Sequence, residues 1–205
     1  MLKSFIPTKS SLNLVLLFSL LILTGCSIFP PQNDIKTNYF DIGFPKDNKS
    51  KLFNTPVIVD RITTTGPYYE KMVFRTSPTH LEYDEFNRWI SPPSKMLKRY
   101  FILALENENI KEIDLNNKTL KLNAEILCIE ADLNKKLITM ILRITIYQGD
   151  NQDVEHTEII NIQESMPAVS ANQFAEKLKI AVNSAIDKTI SALKLVEANS
   201  KPKTK

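Results

Sequence analysis

Three side chains with metal-binding chemistry occupy every second position of one segment: His80, Glu82 and Asp84. Alternate residues of a strand point to the same face, so a strand here would place an imidazole beside two carboxylates. A hydrolytic metal site could use such a set. Alternating polar residues are also the ordinary pattern of a strand with one solvated face. We favour the solvated face and assign no metal ligand.

Two further features receive similar structural interpretations. His156 and Glu158 repeat the spacing, but with two histidines in the chain no histidine-rich zinc site can form within one copy. Cys128 lies inside the apolar run Ile126–Ile129 and is predicted to behave as a small buried hydrophobe rather than as a reactive thiol. The residues therefore predict no catalytic group.

The second cysteine, Cys26, ends the tetrapeptide Leu23-Thr24-Gly25-Cys26. Lys3 and Lys9 precede an apolar run of about a dozen residues, which is too short to span a bilayer core that needs roughly 20. This order resembles bacterial lipoprotein precursors, in which the cysteine is acylated and becomes the new N-terminus. The resemblance implies that residues 1–25 are a signal peptide and that Cys26 is the lipidation site.

An ordinary signal peptide or an uncut N-terminal anchor is the alternative to lipidation. With lipidation, two or three acyl chains would hold the protein stably on a membrane, whereas one chain binds only marginally. The residue after Cys26 is Ser27 and not the aspartate that retains lipoproteins in the inner membrane. We therefore expect a lipid-anchored protein on the outer membrane that faces the periplasm.

The rest of the chain is predicted to form one domain with a tether. Residues 26–51 are predicted to be the lipidated N-terminus and a flexible linker, residues 52–197 the folded domain, and residues 198–205 a basic tail. Residues 1–25 hold two lysines and no acid, so their removal lowers the formal charge of +3 by two. Such a chain lacks the concentrated basic face of nucleic-acid-binding proteins, and no nucleic-acid partner is expected.

Alternating apolar residues predict a sheet. The predicted strands are Tyr39–Gly43, Val57–Ile62, Lys71–Thr76, Leu81–Phe86, Leu120–Ile126, Ile138–Ile146 and Glu158–Gln163. The last three are predicted to form an antiparallel meander, and Leu81 and Tyr83 to face the core.

Two segments have helical spacing. One begins at Ser91-Pro92-Pro93 and the other at Ser170, which has capping-box spacing with Gln173. The second carries a long apolar stripe that must pack on something, and its mixed charges argue against a helix lying on a lipid surface. The predicted fold class is α+β, with an antiparallel-rich sheet packed against an amphipathic middle helix and a long C-terminal helix.

The stretch Arg75–Leu97 combines an arginine-ended strand, an aromatic-containing strand, the pair Arg88-Trp89, prolines and an amphipathic helix. Together with the aromatic segment Tyr39–Gly43, it resembles the auxiliary lipoproteins of ABC-type transport systems, the paraquat-inducible protein C-like family. The resemblance implies an outer-membrane lipoprotein that works with an ABC permease and ATPase and with a mammalian-cell-entry-domain protein. Such systems move phospholipids or other hydrophobic molecules between membranes.

That family implies a subunit without chemistry of its own, and the sequence agrees. After residues 1–25 only Gly43, Gly66 and Gly149 remain, so no glycine-rich phosphate loop or dinucleotide turn can be built, and no cofactor is predicted. Two alternatives stay open: an envelope assembly or structural lipoprotein, and a lipid-anchored metal-dependent hydrolase that would use the histidine and carboxylates at 80–84.

Aromatic residues near the conspicuous stretch are the candidates for partner contacts, since aromatic side chains are favoured anchors at interfaces. They are Tyr68, Tyr69 and Trp89. Core packing is the alternative for each of them.

Overall fold

A computed structural model describes residues 36–45, 53–105, 119–149 and 153–200. The chain from Thr37 onwards groups into one compact unit. None of the described helices combines the length and the apolar character needed to cross a membrane. The signal peptide, Cys26 and residues 201–205 lie outside the described residues, so the predictions made for them stay predictions.

Seven strands and two helices make up the described unit. In chain order they are β1 (Asn38–Phe40), β2 (Val57–Thr64), β3 (Lys71–Ser77), β4 (His80–Trp89), α1 (Pro93–Leu105), β5 (Leu120–Asp132), β6 (Leu137–Gln148), β7 (Asp153–Ser165) and α2 (Ala171–Asn199). β1 falls inside the segment predicted to be a flexible linker, and Ile42 just after it is 1% exposed. The folded part therefore starts before residue 52, because this segment supplies an edge strand and a core side chain.

The α+β class is confirmed, and the sheet is mixed. β5, β6 and β7 form the predicted antiparallel meander, and the first pair extends from Leu120 opposite Gln148 to Asp132 opposite Leu137 with one register shift. Apolar residues at even positions of β6 are fully buried, while its odd positions are half-buried or exposed. This alternation is what places one face of the meander against the helices.

Three pairings are parallel, which the alternation patterns did not predict. β1 pairs with β4, and both β2 and β3 pair with β5. β2 runs along the first half of β5 up to Ile126, whereas β3 meets β5 only at Ala131 and Asp132. The long strand β5 thus carries two shorter neighbours end to end on one side.

Both helices pack on one face of the sheet, α1 against β2 and α2 against β6 and β7. Phe174, in the first turns of α2, is fully buried and meets two rings edge to face, with centroids 5.6 Å from Phe74 and 5.3 Å from Trp89. This aromatic trio joins the C-terminal helix to β3 and β4. We call the opposite side of the sheet the open face.

Local signals account for both helix starts. The Ser170 hydroxyl accepts a hydrogen bond of 3.2 Å from the Gln173 backbone N–H, as the capping-box spacing predicted. The Gln173 side chain does not return to the cap but donates to Glu176. At α1 the Pro92 carbonyl accepts bonds from Lys95 and Met96, and Pro93 occupies the first turn, where a missing N–H costs nothing.

A bulge in β5 changes which residues face the core. The register with β6 shifts between Ile126 and Cys128, so one extra residue interrupts the alternation. Before the bulge the even residues are buried, and after it Ile129 and Ala131 are. Cys128 and Glu130 are thereby turned to the open face.

Candidate functional site

A polar cluster occupies the open face where β2 and β3 meet along β5. Its members are Tyr68 from the turn between β2 and β3, Arg75 of β3, and Cys128 and Glu130 of β5. The turn depends on Gly66, whose φ of +101° is strained for other residues and whose added Cβ would lie 3.3 Å from the Tyr68 ring. The cluster therefore closes the gap on β5 that neither shorter strand covers.

An ion pair holds the cluster together. Arg75 Nε lies 2.5 Å from Glu130 Oε1, and Arg75 Nη2 lies 2.8 Å from Oε2. Arg75 Nη1 donates to the Pro78 carbonyl at 2.9 Å. The Glu130 side chain is 8% exposed and that of Arg75 is 25% exposed, so this bidentate ion pair is largely buried.

The pKa values of the two neutral side chains in the cluster, Cys128 and Tyr68, are raised. Burial raises the pKa of the Cys128 thiol to about 11, and the nearby Glu130 charge adds to the shift. Burial also raises the pKa of the Tyr68 phenol well above its ordinary value, with Cys128 as the next cause. Since the thiolate is the nucleophilic form of cysteine, Cys128 is not activated at neutral pH. Cys128 is half-buried and packs against the hydrophobic core, while the bulge turns it towards the polar groups of the open face.

Arg75→Ala is expected to lower the free energy of unfolding by about 2–3 kcal/mol, because it leaves the Glu130 carboxylate buried without its cation. Arg143→Ala provides the control, since it breaks a more exposed pair with Glu125 (side chains 46% and 29% exposed) and should cost less than about 1 kcal/mol. Urea unfolding followed by circular dichroism would measure both. Equal losses for the two variants would show that the Arg75 pair has no special stabilising role.

The residues considered for a metal site do not assemble one. His80 Nε2 lies 3.3 Å from Glu82, and both side chains are more than half exposed. The Asp84 carboxylate instead accepts bonds from the backbone N–H groups of Phe86 and Asn87 and from the Asn87 side chain, which fixes a local turn in β4. His156 and Glu158 make a separate contact of 3.4 Å. Within the described ranges, no three histidine, cysteine or carboxylate side chains are grouped closely enough to hold an ion.

The three aromatic candidates lie in different settings. Trp89 is 2% exposed and belongs to the trio with Phe174, and Tyr68 is 7% exposed and belongs to the polar cluster. Neither ring offers a contact surface in this structure, because each is needed for packing. Tyr69 is 62% exposed and is the one of the three that remains available.

Three further aromatic side chains, on β1 and β4, are also exposed. Tyr39 stands opposite Arg88 in the β1–β4 pair, Arg88 stands opposite Lys71 in the β3–β4 pair, and the Lys71 ammonium lies 5.6 Å from the centre of the Tyr83 ring. Paired residues share a face, so Tyr39 and Tyr83 both lie on the open face. Together with Tyr69 and Phe86 we call these residues the aromatic edge; all four are 47–62% exposed.

The sequence alone did not identify the aromatic edge. Tyr83 was predicted to face the core with Leu81, and that prediction is wrong for Tyr83, since its face of β4 carries no helix. A usable signal was present, because Tyr83 and Phe86 stand among Glu82, Asp84 and Glu85, and isolated rings in a charged strand are typical of a surface.

Compared by sequence, the chain matches no family model and no curated protein. Compared by fold, it is similar to the crystal structure of protein XCC0632 from Xanthomonas campestris, described under the family model DUF330, with a TM-score of 0.62 and 11% identity over 80% of this chain and 98% of that one. A crystal structure described only as an uncharacterized protein gives a TM-score of 0.63 and 9% identity over 77% of this chain and 99% of that one. At such identities the likeness shows the fold alone.

These findings correct the family assignment made from the short motifs. The structures that share the fold carry the description DUF330 or none, and not that of transport auxiliary lipoproteins. The resembling features, an arginine-ended strand and an Arg-Trp pair before a helix, are explained here by the Glu130 ion pair and by the Trp89 contact with Phe174. Motifs with such structural causes do not identify a family.

Proposed function

We propose that this chain is a lipid-anchored subunit that works by binding, within an envelope system that moves phospholipids or other hydrophobic molecules. Its partner would be the mammalian-cell-entry-domain protein of such a system, which acts with an ABC permease and ATPase. The lipobox at Cys26 supports the lipid anchor, and the aromatic edge supports a role in binding.

The aromatic edge is the observation that carries the proposal. Tyr39 and Tyr83 lie on the open face of the adjacent strands β1 and β4, while Phe86 is exposed close to Tyr83 in the chain and Tyr69 is exposed next to β3. A single exposed apolar residue would be unremarkable, whereas several exposed aromatic residues in this part of the chain favour an interaction surface. Tyrosine and arginine are the residues that most often anchor protein interfaces, and here Tyr39 and Tyr83 flank Arg88 and Lys71. A protein partner that covers these rings would remove apolar area from water without disturbing the core.

The double variant Tyr39→Ala/Tyr83→Ala is expected to abolish most partner capture while the fold is kept, because both rings are largely outside the core. The measurement is cross-linking of the full chain in cells, followed by identification of the captured protein by mass spectrometry. Leu195→Ala, which removes a side chain that is 53% exposed on α2, provides the matched control and should leave capture unchanged.

Recovery of a mammalian-cell-entry-domain protein by the native chain and its loss from the double variant would support both the role and the surface. Capture of a secretion or lipopolysaccharide assembly protein in its place would favour the assembly alternative. Undiminished capture by the double variant would exclude the aromatic edge as the docking surface.

A further inference from the structure

The open face carries a depression that none of the roles above uses. Two rows of side chains cross three strands there: Arg61, Asn123 and Thr145 stand side by side in one row, and Thr63, Glu125 and Arg143 in the next. They surround an open depression of about 290 Å³, with Ala124 between the rows. A single water takes roughly 30 Å³ of liquid, so the space holds a polar group with a substituent attached.

The charges in the depression do not cancel. Arg143 Nη1 lies 2.6 Å from Glu125 Oε2, and the Thr65 hydroxyl donates to the other oxygen of the same carboxylate. Glu125 is thus already paired and bonded. Among the described residues the Arg61 guanidinium makes no ion pair, so its positive charge remains uncompensated.

Hydrogen-bond donors converge around that charge. The Asn123 side-chain oxygen accepts the Arg61 backbone N–H at 3.1 Å, which leaves the Asn123 amide N–H groups free to donate. Thr63 and Thr145 line the same space, and each carries a hydroxyl that can donate a hydrogen bond. An unpaired guanidinium with nearby amide and hydroxyl donors is suited to an anion with several acceptor oxygens, and the planar guanidinium fork matches phosphate in particular.

We propose that this depression binds the phosphate group of a phosphate ester, with Arg61 as its principal contact and Arg143, held in place by Glu125, as the second cation. Six of the seven residues that line the depression are polar or charged, so we expect the head of a lipid to enter it rather than an acyl chain. The phosphate belongs either to a phospholipid headgroup or to a soluble ester. The lipid source rests on the proposed transport function, while the phosphate site itself does not.

The test is a titration of the mature full chain in a phosphate-free non-ionic detergent. Glycerol 3-phosphate, phosphatidylglycerol and diacylglycerol are compared, with calorimetry for the soluble probe and native mass spectrometry for the two lipids. Arg61→Ala is expected to weaken binding of the phosphate-containing probes about tenfold or more, since it removes charge-assisted hydrogen bonds. Binding should also weaken with added salt, because the depression is open to water.

Lys188→Ala, which removes an exposed charge on α2, is the control and should change nothing. Tighter binding of phosphatidylglycerol than of glycerol 3-phosphate would identify a headgroup site, and the reverse order a site for a soluble ester. Affinity for diacylglycerol equal to that for phosphatidylglycerol, or phosphate binding unaffected by Arg61→Ala, would overturn the proposal.

The outcome of the phosphate titration does not depend on whether the chain captures a transport partner. A native chain that binds phosphate esters but captures no transport protein would refute the proposed function and leave the site intact. A chain that captures the partner in its native and Arg61→Ala forms, with no phosphate binding in either, would refute the site alone.

Discussion

Replacing Phe174 with alanine is expected to lower the free energy of unfolding by about 3–5 kcal/mol, the usual cost of removing a buried ring from a packed core. Phe174 is fully buried and contacts Phe74 and Trp89 edge to face, an arrangement that adds about 0.5–1.5 kcal/mol for each pair beyond the area buried. Because domains are stable by only about 5–15 kcal/mol, the variant should unfold at much lower urea concentration.

Phe174→Leu and Leu195→Ala provide two controls for this experiment. The leucine variant fills most of the volume and should lose mainly the ring contacts, so we expect an effect well below that of the alanine variant. Leu195 lies on the exposed side of the same helix, and its loss should change stability by no more than about 0.5 kcal/mol. If Phe174→Ala unfolded at the same urea concentration as Leu195→Ala, the docking of α2 onto β3 and β4 would be disproved.

Cys26→Ser is expected to release the protein from the membrane fraction completely. The variant would carry no acyl chain, and the anchoring free energy of about 0.8 kcal/mol per buried CH2 would be lost with it. Fractionation of cells together with incorporation of labelled fatty acid would measure the change.

Cys128→Ser is the matched control, since its thiol lies within the polar cluster beside Glu130 and should not be a site of acylation. Continued labelling and membrane binding of the Cys26→Ser protein would show that the anchor lies elsewhere. Loss of labelling from the Cys128→Ser protein would show that Cys128, and not Cys26, is the acylated residue.

The sequence by itself determined the elements and much of the layering. Alternation in β5, β6 and β7 specified half-buried strands, and the short spacing between them made antiparallel neighbours of them. The serine before α2 and the stripe along it specified a capped helix with one buried face. These features are local, since each depends on residues within a turn or a strand of one another.

Only the tertiary structure decided which residues meet. The alternation pattern of each strand shows which residues of that strand share a face with Arg61, Glu125 or Arg143. That these three residues lie side by side depends on the parallel register of β2 with β5, which the pattern of a single strand does not contain. One bulge turned Cys128 and Glu130 to the open face, where Arg75 pairs with Glu130. Trp89 became a core residue for the same kind of reason, because Phe174, distant in the chain, packs against it. A side chain's burial follows from its partner across the fold, and pairing between distant segments is set by the free energy of the whole packed unit.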